Sequence, residues 1–126
     1  MEHYYTQNPQ TPHDIRSIVF SAGNIRLELY TDAGVFSRNK VDYGSEWLIR
    51  SLPKLSGNIL DLGCGYGAIG LSIAFSNPDA RVMMVDINQR AVDLSLRNIE
   101  RNRIQNAAAH VIDGFQQVSG PFHAIV

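Results

Sequence analysis

The segment 59–70, with the sequence ILDLGCGYGAIG, constrains the fold more than any other part of this 126-residue chain. It begins with a short apolar run, which is typical of a strand buried in a parallel sheet. Three alternating glycines come next: Gly63, Gly65 and Gly67. Because an apolar-periodic segment follows from Ala68, the pattern predicts a strand, a tight glycine turn and a helix. Such a turn lies at the carboxyl end of a strand, where open α/β sheets bind their ligands.

Asp61 indicates which kind of ligand this turn accepts. The spacing of Gly65, Gly67 and Gly70 also satisfies the dinucleotide-binding fingerprint, but that match is weak on its own. A carboxylate two residues before the first glycine would repel a pyrophosphate and attract a cation. S-adenosylmethionine has no phosphate and carries a sulfonium and an ammonium. The sequence therefore favours this methyl donor over a dinucleotide.

Two further carboxylates, Asp86 and Asp113, end later apolar runs in the same way that Asp61 ends the first. Because successive β-α units wind right-handed, we expect the three strand ends to lie side by side. Asp86 would then accept both hydroxyls of a ribose, and Asp113 would accept the adenine amine. Ile87 can lie against the adenine face. Carboxylates that merely cap strand ends for solubility account poorly for three in succession.

The segment 15–31 is predicted to form a β-hairpin that precedes the α/β core. Apolar and polar residues alternate on both sides of the turn 22–24, with Leu27 and Leu29 on the apolar side. Such period-two alternation is typical of a half-buried antiparallel pair. One domain is therefore expected to contain an N-terminal strap, hairpin and loop (1–44) and a donor-binding α/β half (45–126).

Two of the predicted helices carry recognisable signals at their ends. The first spans 45–52, is stopped by Pro53 and has Trp47 on its apolar stripe. The second spans 89–102, is capped by Asn88 and has Leu96 on its apolar face. Four arginines on or just beyond this second helix could contact RNA phosphates, but a solvated polar face is the preferred interpretation: Arg90, Arg97, Arg101 and Arg103.

Composition excludes several other classes of protein. The formal net charge of -1 does not favour wide non-specific binding to nucleic acid. A single cysteine excludes an internal disulfide and suits a reducing compartment. Because no signal pattern or membrane-length apolar run is present, we expect a soluble, cytoplasmic protein without a membrane partner. The histidines show no ligand spacing with one another or with Cys64, so no metal is expected.

Taken together, the segments 61–67 (DLGCGYG), 85–88 (VDIN) and 112–114 (IDG) resemble the donor motifs of class I S-adenosylmethionine-dependent methyltransferases. With the N-terminal cluster 3–5 (HYY) and the segment 34–44 (GVFSRNKVDYG), the chain resembles the small-domain guanine-N2-methyltransferases of 16S ribosomal RNA. This resemblance implies a Rossmann-like methyltransferase fold behind an N-terminal β-hairpin. It also implies ribosomal RNA or the small ribosomal subunit as the substrate.

The same resemblance implies which residues contact the donor. Asp61 and the turn residues would hold the methionine part: Gly63, Cys64, Gly65 and Gly67. Asp86 with Ile87 would hold the ribose and the adenine face, and Asp113 with Gly114 would hold the adenine. Asp42, in the preceding loop, would help to close the donor site. Methyl transfer would be direct and in-line without a cysteine nucleophile, so that Cys64 is interpreted as a small residue of the turn.

One motif of that family has no counterpart in this sequence. In the family, an Asn-Pro-Pro-aromatic motif follows the fourth strand, and its Asn side chain and a Pro carbonyl orient the target amine. This chain ends at Val126, before such a motif. We therefore expect a fragment that contains strands 1–4 of the parallel sheet, binds the donor and does not methylate by itself.

Three other functions stay open from the residues. A methylase of release-factor glutamine shares the donor motifs, although its N-terminal part is usually helical where this chain predicts a hairpin. A nicotinamide-dependent oxidoreductase would use the glycines with Asp86 on the ribose, and Asp61 argues against it. A donor-binding or interaction module without catalysis is the third.

Overall fold

The structure, a computed structural model, describes residues 12–35, 39–114 and 117–126. In chain order these residues form a hairpin, a helix, and strands that alternate with helices: β1 (Arg16–Ala22), β2 (Ile25–Thr31), α1 (Tyr43–Ser51), β3 (Gly57–Leu62), α2 (Ala68–Ser76), β4 (Ala80–Asp86), α3 (Gln89–Arg101), β5 (Ala107–Val111) and β6 (Ala124–Ile125). The N-terminal aromatic cluster 3–5 lies outside the described residues.

Strands β3 to β6 form one parallel sheet in the order β5-β4-β3-β6. The central strand β3 is buried on both faces, since Ile59 is 0% and Leu60 3% exposed. Leu62 pairs with Val85 of β4, and Asp86 pairs with Val111 of β5. The carboxyl ends of three strands therefore lie in a row, and the predicted Rossmann-like arrangement is confirmed.

The predicted hairpin is also confirmed. Strands β1 and β2 pair antiparallel from Arg16 opposite Thr31 to Ala22 opposite Ile25. Leu27 and Leu29 are fully buried, whereas Val19 on β1 is 58% exposed. The hairpin thus lays one face on the α/β core and turns the other to solvent, as period-two alternation requires.

The helix boundaries agree closely with the predicted ones, but one residue on each of two predicted apolar faces, Trp47 and Leu96, is exposed. Trp47 is 71% exposed, and Ile49 is the α1 residue that is buried. Leu96 is 47% exposed, because the buried face of α3 includes the polar residues Ser95 and Asn98. That face packs against the sheet, the hairpin and the glycine turn, so apolar periodicity alone does not reveal it.

No helix among the described residues combines the length and the apolar character that crossing a bilayer would need.

Candidate functional site

The glycine turn 63–67 joins β3 to α2 at the carboxyl edge of the sheet. Its glycines have positive φ: +70° at Gly63, +57° at Gly65 and +103° at Gly67. A Cβ at Gly63 or Gly65 would meet nothing within 4 Å, whereas at Gly67 it would lie 2.8 Å from Met84 Cε. The positive φ favours glycine at all three positions. Gly63 and Gly65 in addition border open space, whereas Gly67 is packed against Met84.

The backbone of the turn is held by two neighbouring elements. On the β4 side, the N–H groups of Gly63 and Cys64 both donate to Val85 O, at 2.8 and 2.9 Å. On the α3 side, two side chains bind successive carbonyls of the turn. Ser95 Oγ donates to Gly65 O, and Asn98 Nδ2 donates to Tyr66 O, each at 2.8 Å.

Asp61, on β3, is 2% exposed and lies against the first turn of α2. Its carboxylate accepts a hydrogen bond from the backbone N–H of Gly70. Its Oδ2 atom is buried and has no hydrogen-bond partner among the described residues. Burial, helped by the charge of Asp86, raises the pKa of this carboxyl to about 7, against the lowering effect of the Gly70 hydrogen bond. A buried carboxylate with a free oxygen favours a cationic neighbour.

Asp86 lies at the end of β4, and each of its carboxylate oxygens accepts a hydrogen bond from a backbone N–H. Oδ2 accepts from Gly65 N–H at 2.9 Å, and Oδ1 accepts from Asn88 N–H at 2.9 Å. Each oxygen keeps a second lone pair, so the half-buried carboxylate can still accept from a pair of ligand hydroxyls. Ile87, which follows it, is half-buried beside the same strand end.

Asp113 and Gly114 follow the end of β5, the strand adjacent to β4. The backbone N–H of Ile112 donates to Asp86 O at 3.0 Å, which ties the two strand ends together. Asp113 is exposed, and its own N–H donates to Gln117 Oε1 at 2.7 Å. The structure therefore brings the predicted strand-end residues into one row and leaves Asp113 at its outer end.

Asp42 has a structural role that the sequence analysis did not assign. It is the N-cap of α1, where it accepts from Ser45 N–H at 3.1 Å and from Ser45 Oγ at 2.7 Å. Burial alone would raise the pKa of Asp42, but these hydrogen bonds outweigh it and the pKa is lowered. Burial raises the pKa of the Tyr66 phenol, and the Asp42 charge raises it further. Asp42 thus acts electrostatically on a residue of the glycine turn.

Cys64 is buried within the turn, with Sγ 3.5 Å from Ser95 Oγ. Burial, followed by the charge of Asp61, raises the pKa of the thiol. Because the thiolate is the reactive form of cysteine, this environment opposes a nucleophilic role. The interpretation of Cys64 as a small residue of the turn agrees with this placement.

The sequence analysis missed two asparagines, Asn98 in α3 and Asn102 at its C-cap. Asn98 Oδ1 accepts from Tyr30 N–H at 2.7 Å, and Asn98 Nδ2 donates to Tyr30 O at 3.0 Å. Asn102 binds Glu28 of the same strand in the same way, at 2.9 Å for both bonds. The two amides thus take the place of a partner strand along the edge of β2. Asparagine is a poor helix former, and a pair of them four residues apart was a signal that the sequence offered.

The arginines of α3 also contact the hairpin and the loop after it. Arg90 Nη1 donates to Ala33 O at 2.7 Å, and its side chain is 10% exposed, so the predicted solvated face is wrong for this residue. The guanidinium groups of Arg97 and Arg101 lie 4.4 and 4.2 Å from the ring centroid of Tyr30. This side of α3 therefore fastens the hairpin to the core.

In the described part of the chain, no group of three or more His, Cys, Asp or Glu side chains is arranged to hold a metal ion.

Comparison with known proteins gives a family and several relatives. Residues 26–126 match the family described as Methyltransferase small domain. The uncharacterized protein YbxB of Bacillus subtilis is 43% identical over 119 residues, which are 93% of this chain and 59% of YbxB. Ribosomal RNA small subunit methyltransferase C of Aeromonas hydrophila is 40% identical over 105 residues, 83% of this chain and 30% of that protein. The chain thus spans less than two thirds of these curated relatives.

Solved structures show the same fold. The T. thermophilus 16S rRNA N2 G1207 methyltransferase (RsmC), solved in complex with AdoMet and guanosine, matches with a TM-score of 0.76 and 27% identity. That match covers 89% of this chain and 34% of the other. A Pyrococcus abyssi tRNA (uracil-54, C5)-methyltransferase has a TM-score of 0.61 at 22% identity, covering 86% of this chain and 27% of that one, and supports the fold alone.

Proposed function

The chain belongs to the methyltransferase small domain family, and we propose that it binds S-adenosylmethionine at the glycine turn as the donor-binding part of a methyltransferase. The observation that carries this proposal is the unpartnered, buried Oδ2 of Asp61 beside a turn whose Gly63 and Gly65 border open space. A buried carboxylate beside glycines that border open space suits a ligand that carries positive charge near its reactive atom.

The same carboxylate disfavours a dinucleotide. Phosphate sites at helix N-termini depend on unpaired backbone N–H groups of the first turn. Here the N–H of Gly70 in α2 already donates to Asp61, and a pyrophosphate would meet that negative charge. A methyl donor without phosphate avoids both problems.

The predicted site residues of the strand ends and of the glycine turn each have a role in this proposal. The glycine turn and Asp61 would hold the methionine part, and Asp86 would accept the ribose hydroxyls. Ile87, Asp113 and Gly114 would border the adenine. When bound, the donor supplies an electrophilic methyl group on a sulfonium, and the contribution of this chain is to hold that group in position.

We further propose that the target is the exocyclic amine of a guanine in small-subunit ribosomal RNA. Support comes from the name of the Aeromonas hydrophila relative and from the T. thermophilus enzyme that was solved with guanosine. The 126 residues contain no Asn-Pro-Pro sequence to orient that amine. We therefore propose that they bind the donor without transferring its methyl group by themselves.

Calorimetric titration tests the donor site. We expect the purified chain to bind S-adenosylmethionine and not NAD, and Asp86→Ala to weaken donor binding about tenfold or more through loss of charge-assisted hydrogen bonds. Asp93→Ala is the matched control, because Asp93 is an exposed carboxylate of α3 that bonds Gln89 instead of the turn. Binding of NAD alone, or of neither ligand to a folded chain, would contradict the proposal.

A transfer assay with labelled donor and small ribosomal subunits tests the second proposal. We expect no label on the RNA with this chain alone. Label on the N2 atom of a guanine would support the target and contradict the proposed lack of transfer. Label on any other atom would contradict the target.

A further inference from the structure

We propose that Ser95 and Asn98 are positioning residues of the donor site, which hold the glycine turn from behind, and that Asn98 couples this turn to the N-terminal hairpin. The proposal rests on the donor site proposed above. It assigns to two buried residues of α3 the task of fixing the shape of the surface on which the donor would lie.

The turn needs such support because of its composition. Three of its five residues are glycines with positive φ, and glycine moves between left- and right-handed conformations with little penalty. A free segment of this kind would sample many shapes and would lose that freedom on binding a ligand. A turn that is already fixed in one shape avoids this loss. Within the turn, the N–H of Gly67 donates to Cys64 O at 3.0 Å, and contacts from neighbouring elements supply the rest of the support.

Ser95 and Asn98 provide these contacts. They lie three residues apart on one face of α3, and both are 0% exposed. Ser95 Oγ binds Gly65 O and Asn98 Nδ2 binds Tyr66 O, so two consecutive peptide groups are held from the same side. In a trans peptide the C=O and the following N–H point in opposite directions. The N–H groups of Tyr66 and Gly67 are therefore directed away from α3.

Asn98 uses the rest of its amide on the hairpin. Its Oδ1 accepts from Tyr30 N–H and its Nδ2 also donates to Tyr30 O, so one buried side chain joins β2, α3 and the turn. Asn102, one helical turn further on, bonds Glu28 of β2 and the backbone of its own helix. Both asparagines therefore hold the hairpin against the end of α3, but of the two it is Asn98 that also bonds the turn. Asn102 is a matched control.

The first test measures the turn directly by NMR. Tyrosine labelled with ¹³C at the carbonyl and glycine labelled with ¹⁵N give a joint signal only at Tyr-Gly peptides, which this sequence contains at 43–44 and 66–67. We expect Asn98→Ala to shift the 66–67 signal, and Asn102→Ala to leave it in place. The 43–44 signal is the internal reference in both variants. Equal shifts in both variants, or an unmoved signal in Asn98→Ala, would overturn the proposal.

The second test measures donor affinity at a temperature where circular dichroism shows each variant to be folded. We expect Asn98→Ala to weaken binding about tenfold, Ser95→Ala to weaken it less, and Asn102→Ala to stay within about twofold of the wild-type chain. If Asn98→Ala does not fold, Asn98→Ser replaces it in both tests, since the side chain stays polar and uncharged but is too short to bridge Tyr30 and Tyr66 as the amide does.

The two tests separate failure of this inference from failure of the proposed function. A wild-type chain that binds the donor, with Asn98→Ala binding it equally well, would overturn the positioning role and leave the function standing. A folded wild-type chain that does not bind the donor would contradict the proposed function. The 66–67 signal would then still decide whether Asn98 holds the turn.

Discussion

Asp86 accepts a hydrogen bond from the backbone N–H of Gly65 at 2.9 Å, so the carboxylate assigned to the ribose also braces the glycine turn. Its other oxygen accepts from Asn88 N–H at the start of α3. One side chain at the end of β4 therefore joins the turn, the strand and the next helix. Changes at Asp86 will affect the shape of the site as well as its contact with a ligand.

We predict that Asp86→Asn will not restore the donor affinity lost in Asp86→Ala. An amide has a single acceptor oxygen, so its NH₂ group would face the N–H of either Gly65 or Asn88, and one backbone donor would lose its partner. Unpaired donors of this kind are expected to cost about 1–3 kcal/mol in stability. Calorimetry on both variants checks this, and wild-type affinity in Asp86→Asn would contradict it.

We predict that Asp61 lowers the stability of the chain as the pH rises from about 4 to about 7. Its pKa is about 7 in the folded chain against an ordinary value of 3.8, so the folded state binds more protons than the unfolded state within this window. The free energy of unfolding therefore decreases with pH there and levels off above pH 7. Urea unfolding of Asp61→Asn and wild type should show the variant gaining relative stability across the window. A pH-independent difference between them would contradict the prediction.

Donor binding should show the opposite dependence on pH. A proton on Asp61 competes with the cationic donor, so we expect the affinity of the wild-type chain to rise as the pH increases through about 7. Well below this pKa the change should approach about tenfold per pH unit. Titration at several pH values checks this, and Asp61→Asn should bind weakly with little pH dependence. A parallel rise in the variant would assign the effect to another group.

The parts of the fold that local patterns encode were predictable from sequence. The strand before Gly63, the glycine turn and the N-cap Asn88 each depend on residues adjacent in the chain. The exposure of Trp47 was not predictable, because it depends on which elements lie beside α1. The role of Asn98 depends on Tyr30, 68 residues away, and on Tyr66 in the turn. Polar side chains that satisfy backbone groups of a distant strand leave no apolar periodicity.

In the candidate site, too, the features set by neighbouring residues were predictable and those set by distant residues were not. The sequence located Asp61 and Asp86 because carboxylates directly after apolar runs stand out, and parallel strands bring those ends together. It did not show that Asp61 lies buried against Gly70, since this glycine is nine residues further along the chain, in helix α2. It also did not identify Asp42 as a helix cap, because the predicted helix began at Ser45.

We predict that Gly65→Ala and Gly67→Ala will affect different properties. At Gly67 the φ of +103° is one that L side chains rarely adopt, and an added methyl group would also have to displace Met84 Cε at 2.8 Å, so we expect a loss of stability of about 1–3 kcal/mol, chiefly from backbone strain. At Gly65 the methyl group would enter open space, so we expect a smaller loss of stability and a marked loss of donor affinity. Urea unfolding and calorimetry on both variants measure the two effects. Reversal of this order would contradict the proposed location of the donor.

We predict that Asp42 contributes to donor binding beyond its capping of α1. Asp42→Ala should lower stability by about 1 kcal/mol through loss of the N-cap, whereas Asp42→Ser keeps a capping oxygen and should stay close to wild type. Both variants remove a negative charge that acts on Tyr66 in the turn. Because that charge favours a cationic ligand, we expect donor affinity to fall several-fold in both.

The serine variant is the decisive one, because it separates the cap from the charge. Thermal unfolding establishes that the cap is retained, and calorimetry at low and high salt then measures the donor. An electrostatic contribution should shrink as the salt concentration rises, since screening weakens interactions between partly exposed charges. If Asp42→Ser is as stable as wild type and binds the donor equally well, Asp42 is a helix cap and does not belong to the donor site.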